Sequence, residues 1–141
     1  MIIGTLKEKK KFENRVAISP DEVKSYLKSG HQVLIEKGAG SLSGFTDKSY
    51  KEAGATITNS KEVLKTSEII IKINCPSPEE SKLINNKAMV VSQISTQNNQ
   101  ESIKILNSRK VSAFALELVP RITRAQDLSL IHISEPTRLS V

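Results

Sequence analysis

Residues 68–73 read Glu68-Ile69-Ile70-Ile71-Lys72-Ile73, and this run decides the fold. Isoleucine at successive positions leaves no polar face, so an extended segment here must be covered on both sides. That is the signature of an inner strand of a parallel sheet. The segments on either side alternate helix and strand. Upstream, a helix is predicted near 60–66 with Val63 and Leu64 inward, after a brief strand over 55–58 and a short helix over 47–53 stopped by Gly54. Downstream, Ser77-Pro78-Glu79-Glu80 starts another helix: serine caps, proline suits the first turn, and the glutamate three residues on completes a capping box. Residues 89–94 and 111–116 read as further strands around a helix near 99–108.

The N-terminal quarter repeats the pattern. Residues 2–6 and 32–36 are apolar strands, and Ser19-Pro20-Asp21-Glu22 is a second capping box between them. Val23, Tyr26 and Leu27 fall on one face of that helix, which Gly30 can close. The alternation predicts an α/β fold of three layers, a mostly parallel sheet with flanking helices, Rossmann-like or flavodoxin-like.

Composition narrows the function classes. With 38% hydrophobic and 26% charged residues the chain is globular, and no apolar run approaches the roughly 20 residues that cross a bilayer. A cytoplasmic location is the default expectation. The net charge of +6 raises the question of nucleic acid, but aromatics are only 4%, Trp is absent, and the lysines are spaced as on solvated helix faces. No nucleic-acid partner is expected. The single cysteine, Cys75, excludes an internal disulfide framework, and no spacing of ligands suggests a metal.

Gly38-Ala39-Gly40-Ser41-Leu42-Ser43-Gly44 invites a dinucleotide reading. The fingerprint needs its third glycine one position earlier and a long helix directly after it. The loop therefore reads as a tight connection that uses positive φ angles.

Five collinear stretches resemble one family, the alanine dehydrogenase and transhydrogenase α-subunit group. They are Lys7-Glu8 with Glu13-Asn14-Arg15-Val16-Ala17-Ile18-Ser19-Pro20; Gly30-His31-Gln32-Val33 with Glu36-Lys37-Gly38-Ala39-Gly40; Lys51-Glu52-Ala53-Gly54-Ala55; Ile71-Lys72-Ile73-Asn74-Cys75-Pro76; and Leu118-Val119-Pro120-Arg121-Ile122-Thr123-Arg124-Ala125-Gln126. Within the group, alanine dehydrogenases resemble one another in a lysine at position 74 and a histidine at 95, where this chain has Asn74 and Ser95. An amide and a hydroxyl cannot serve as an acid/base pair near neutrality. Arg15, which would bind a substrate carboxylate in that branch, is kept and reads here as a fold-stabilising arginine. Residues 120–126 resemble the transhydrogenase branch.

That resemblance implies the first part of the NAD(H)-binding subunit of a proton-translocating NAD(P) transhydrogenase, with NADP(H) carried on another domain. It implies that Arg121, Ile122, Thr123, Arg124 and Gln126 line the bound NAD(H), with Gln126 beside the reacting ring. The implied partners are the remaining half of the same subunit, a second copy, and the membrane-embedded and NADP-binding subunits, which would hold the chain at the cytoplasmic side of the inner membrane. An alanine dehydrogenase fragment and a small non-enzymatic nucleotide-binding or regulatory protein are the alternatives. The resemblance covers residues 1–127, an incomplete domain alone expected to be inactive. Residues 128–138, LSLIHISEPTR, resemble the in-frame translation of a sequencing adapter, so 128–141 are expected to be non-native; the family's aspartate at 129 is Ser129 here.

Overall fold

A computed structural model describes residues 1–11, 13–95 and 98–116 of the chain. Among the described residues six strands, β1 (Ile2–Thr5), β2 (Gln32–Glu36), β3 (Thr56–Thr58), β4 (Ile69–Asn74), β5 (Met89–Gln93) and β6 (Ser112–Ala115), alternate with five α-helices. These are α1 (Pro20–Lys28), α2 (Asp47–Ala53), α3 (Ser60–Thr66), α4 (Pro78–Leu83) and α5 (Gln100–Ser108). All pairings are parallel and the strand order is β3-β2-β1-β4-β5-β6. This is the Rossmann order and differs from the flavodoxin one. The isoleucine-rich strand β4 lies in the middle of the sheet, next to β1, as its two apolar faces require.

Local chemistry sets the helix starts. Ser19 accepts from the Glu22 amide while the Glu22 carboxylate accepts from the Ser19 amide, and Ser77 with Glu80 does the same. Thr46 and Asn59 cap α2 and α3 with their side-chain oxygens. Gly54 then ends α2 in the left-handed region, at φ 108°. Each cap satisfies amides that have no partner inside the helix, and each contributes about 1 kcal/mol.

Two cores lie on opposite faces of the sheet. Ile3, Val33 and Ile35 pack with Val23, Tyr50 and Ala53 from α1 and α2. Ile70, Val90 and Ala113 pack with Val63, Leu64 and Leu106 from α3 and α5, and with Ile84 just beyond α4. The layers are thus helix, sheet, helix. The glycine loop is a connection, with a 3₁₀ turn at Ser41–Ser43 and positive φ at Gly38 and Gly44. Gly40 serves a different purpose: a Cβ there would come within 2.7 Å of the Tyr50 ring.

Candidate functional site at the centre of the sheet

Chain order makes a crevice between β1 and β4. From β1 the chain turns through α1, on one face, to β2. From β4 it turns through α4, on the other face, to β5. The loops leaving these neighbouring strands diverge, and in open parallel sheets ligands occupy the gap so formed. Thr5 donates its hydroxyl to the Ile71 carbonyl at 2.6 Å and closes the crevice from below.

Glu8 fills the centre of this gap. It is 6% exposed, and Lys72 beneath it is 2% exposed. The Lys72 ammonium donates to Glu8 Oε1 at 3.3 Å. The Ile73 and Asn74 amides donate to Oε2 and Oε1 at 2.9 and 3.1 Å, and the Asn74 carboxamide adds a longer bond. These two amides are available because the β4–β5 register slips between Ile71 and Asn74. A bulge that frees successive N–H groups next to a buried ammonium is an anion cradle, and the chain supplies the anion itself.

The Asn74 carboxamide also donates to Glu13 at 3.0 Å, and Glu13 in turn receives two bonds from the Arg15 guanidinium at 2.9 and 3.0 Å. These bonds, the Arg15 ones foremost, bring the Glu13 carboxyl down to about 2, although burial opposes the change. The Arg15 side chain itself remains largely exposed. Its place in the fold is local: it holds Glu13 and, through it, the loop after β1. Ser43 of the glycine loop donates to the Asn14 carbonyl and ties the two loops together.

Beside Glu8 opens a cleft of about 600 Å³, lined by Glu8, Lys72, Asn74, Cys75, Glu80 and Ser95 among others. The structure therefore brings Asn74 and Ser95, far apart in sequence, into one cavity. Cys75, which is in no disulfide, lies at its wall. Arg121, Ile122, Thr123, Arg124 and Gln126 lie outside the described residues, as do 128–141. Among the described residues no group of three or more His, Cys, Asp or Glu could hold a metal, and no helix is long and apolar enough to cross a membrane.

Sequence reasoning met Glu8 only as half of a Lys-Glu pair and did not assign it a role. The available signal was Lys72: an ammonium inside an isoleucine run must find a buried counterion. The Glu8 carboxylate occupies the mouth of the crevice, and no glycine follows β1 before α1.

A sequence profile described as Alanine dehydrogenase/PNT, N-terminal domain matches residues 4–135. The chain belongs to this family. It is 40% identical over 131 residues to the NAD(P) transhydrogenase subunit alpha of Haemophilus influenzae, covering 93% of this chain and 25% of that one. An alanine dehydrogenase of Methanococcus maripaludis is 39% identical over 129 residues, covering 91% of this chain and 35% of the other. The crystal structure of transhydrogenase from Sinorhizobium meliloti superposes with a TM-score of 0.84 at 34% identity, over 93% of this chain and 39% of that chain. The chain thus spans between a quarter and two-fifths of the length of these relatives. A solved L-alanine dehydrogenase superposes with a TM-score of 0.80 at 31% identity, over 89% of this chain and 34% of that chain, so both branches share the fold.

Proposed function

We propose that this chain is the first part of the NAD(H)-binding α subunit of a proton-translocating NAD(P) transhydrogenase. The observation that carries the reading is the pairing of Asn74 and Ser95 in one cleft. Oxidative deamination of an amino acid needs a group there that accepts and returns a proton. Neither a carboxamide nor a hydroxyl does so near neutrality. Direct hydride exchange between two nicotinamides needs no such group; it needs the rings in contact and water excluded.

The bound nicotinamides would supply the hydride donor and acceptor. The protein's task is positioning. Arg121 holds the nicotinamide or its ribose through a planar fork of donors, Ile122, Thr123 and Arg124 line the same loop, and Gln126 orients the ring toward the NADP-bearing domain. Glu8 in the β1–β4 crevice supports this division of labour, because it turns the pyrophosphate away to a second domain of the same subunit. The partners are that second domain, a second copy of the subunit, and the membrane-embedded and NADP-binding subunits, at the cytoplasmic side of the inner membrane. Residues 1–127 form the native part, inactive alone, and 128–141 are foreign. A long read of the gene across codons 115–141 checks this boundary, and a genomic LSLIHISEPTRLSV followed by a stop overturns it.

The activity test uses the full-length subunit joined to its partner subunits. NADPH-dependent reduction of an NAD analogue is expected, with no L-alanine-dependent reduction of NAD. Arg121→Ala and Gln126→Ala should each slow hydride transfer by roughly 10–100-fold. Alanine-dependent turnover in place of transhydrogenation would assign the chain to the other branch.

A further inference from the structure

Asn74 stands in the cleft wall with one side of its carboxamide already committed. Its Nδ2 donates to Glu13 Oε1 at 3.0 Å and to Glu8 Oε1 at 3.4 Å. A primary amide nitrogen carries two hydrogens, so the two carboxylates use both, and Oδ1 is the atom left to meet a ligand. The flipped orientation would aim Oδ1 at two carboxylates and is excluded by charge. Glu13 and Arg15 are not among the described residues that line the cleft. They reach it through Asn74: Arg15 Nε and Nη2 grip the two Glu13 oxygens at 2.9 and 3.0 Å, and that fork is closed to any other carboxylate. A second acceptor in the wall points the same way. Glu80 is 6% exposed; its Oε1 accepts from the Ser77 amide, and its Oε2 receives no hydrogen bond among the described residues. Lys9 stands 4.0 Å from that oxygen, too far to donate. A buried acceptor without a donor calls for one from outside.

A wall that offers acceptors, beside a guanidinium whose fork is filled, selects for hydrogen-bond donors and against anions. We propose that Asn74 determines ligand specificity in this cleft: its oxygen accepts an N–H of a ligand's primary carboxamide and rejects a carboxylate in the same place, while Glu13 and Arg15 are positioning residues that hold it in that orientation. The ligand class rests on the transhydrogenase reading, since nicotinamide carries such a group. Exchanging the ligand's amide for a carboxylate replaces donors by charged acceptors, so the bond to Asn74 Oδ1 becomes a repulsion and the Glu80 carboxylate meets a like charge. Lys9 and Lys10 also line the cleft, but both are exposed and salt screens them, so the buried wall decides. In the alanine dehydrogenase branch, where the resemblance gives Arg15 a substrate carboxylate, the fork that Glu13 fills here would have to be open.

The test titrates the nitrogen-labelled full-length subunit with nicotinamide and with nicotinate, which differ only in this group, and follows the Asn74 Nδ2 signals by NMR. Nicotinamide is expected to move those signals at about tenfold lower concentration than nicotinate, the worth of one or two hydrogen bonds. Arg15→Met, at a largely exposed side chain, should bring the two ligands to within roughly twofold of each other. Arg15→Lys, which keeps a cation beside Glu13, should retain more of the preference. Nicotinate that binds the wild type as well as nicotinamide does, or nicotinamide that leaves the Asn74 signals unmoved, overturns the proposal, and neither result needs a variant to fold. An Arg15→Met protein that keeps the preference, or that loses affinity for both ligands by the same factor, overturns the positioning role. None of these outcomes decides NADPH-dependent reduction of an NAD analogue, which tests the transhydrogenase reading separately.

Discussion

Glu8 and Lys72 form an ion pair of 3.3 Å in which each side chain is only 2% exposed. It joins the loop after β1 to the middle strand of the sheet, 64 residues away. An ion pair this deep contributes little net stability, since desolvation offsets the attraction, but half of it alone is strongly destabilising. Glu8→Ala is therefore expected to cost about 3–5 kcal/mol in urea unfolding. Replacing both partners, Glu8→Met with Lys72→Met, should recover only part of that loss. The Ile73 and Asn74 amides would remain without their acceptor. Full recovery in the double variant would show that the amides find other partners.

The Glu13 carboxyl, lowered from 4.5 to about 2, makes a second prediction. A depressed carboxyl contributes stability that is complete above its unfolded value and is lost as pH falls from about 4.5 toward 2. Arg15→Met should return the Glu13 midpoint most of the way to that of a free glutamate, and Asn74→Ala should return it by less, because the Arg15 bonds act more strongly. A carboxyl titration by NMR reads both. A larger effect from Asn74→Ala would reverse the assigned order.

Tyr50 anchors the face made by α1 and α2. Its buried hydroxyl donates to the Ile18 carbonyl at 2.7 Å, and burial, with Glu22 and Asp47, pushes the phenol up to about 12. Tyr50→Phe should cost about 1–3 kcal/mol by leaving that carbonyl unpaired. Gly40→Ala should cost a similar amount by overpacking the same ring, about 1–3 kcal/mol. Burial raises Tyr26 as well, so an ultraviolet titration should find both tyrosines still protonated above the usual range, and a tyrosine ionising in the usual range would contradict the packing.

Glu36 has the opposite sign to Glu13. Its carboxyl is raised by burial first, so the folded protein binds that proton more tightly than the unfolded chain. The cost of the charged form is present above the folded midpoint and disappears as pH falls below the unfolded one. Glu36→Gln should thus raise the melting temperature at pH 8 and change it less at pH 4.5. An equal shift at both values would mean the charge is not what matters.

What the sequence determined by itself was everything governed by neighbours along the chain. Ser19 with Glu22 and Ser77 with Glu80 announce their helices because a cap needs only three residues. Gly54 and Gly38 mark turns because their backbone angle is a local property. The isoleucine run at 69–71 revealed a strand covered on both faces, and from the alternation around it came the parallel sheet. Arg121 to Gln126 were legible only through resemblance, and they lie outside the described residues. The tertiary structure alone decided the strand order, which separated a Rossmann arrangement from a flavodoxin one. It also decided that Asn74 and Ser95 share a cavity, that Lys72 meets Glu8, and that Gly40 gives way to Tyr50. These pairs are 10 to 64 residues apart, and no local preference selects them. They follow from which strands become neighbours, and that is chosen by burying two apolar faces at once while giving every buried charge a partner.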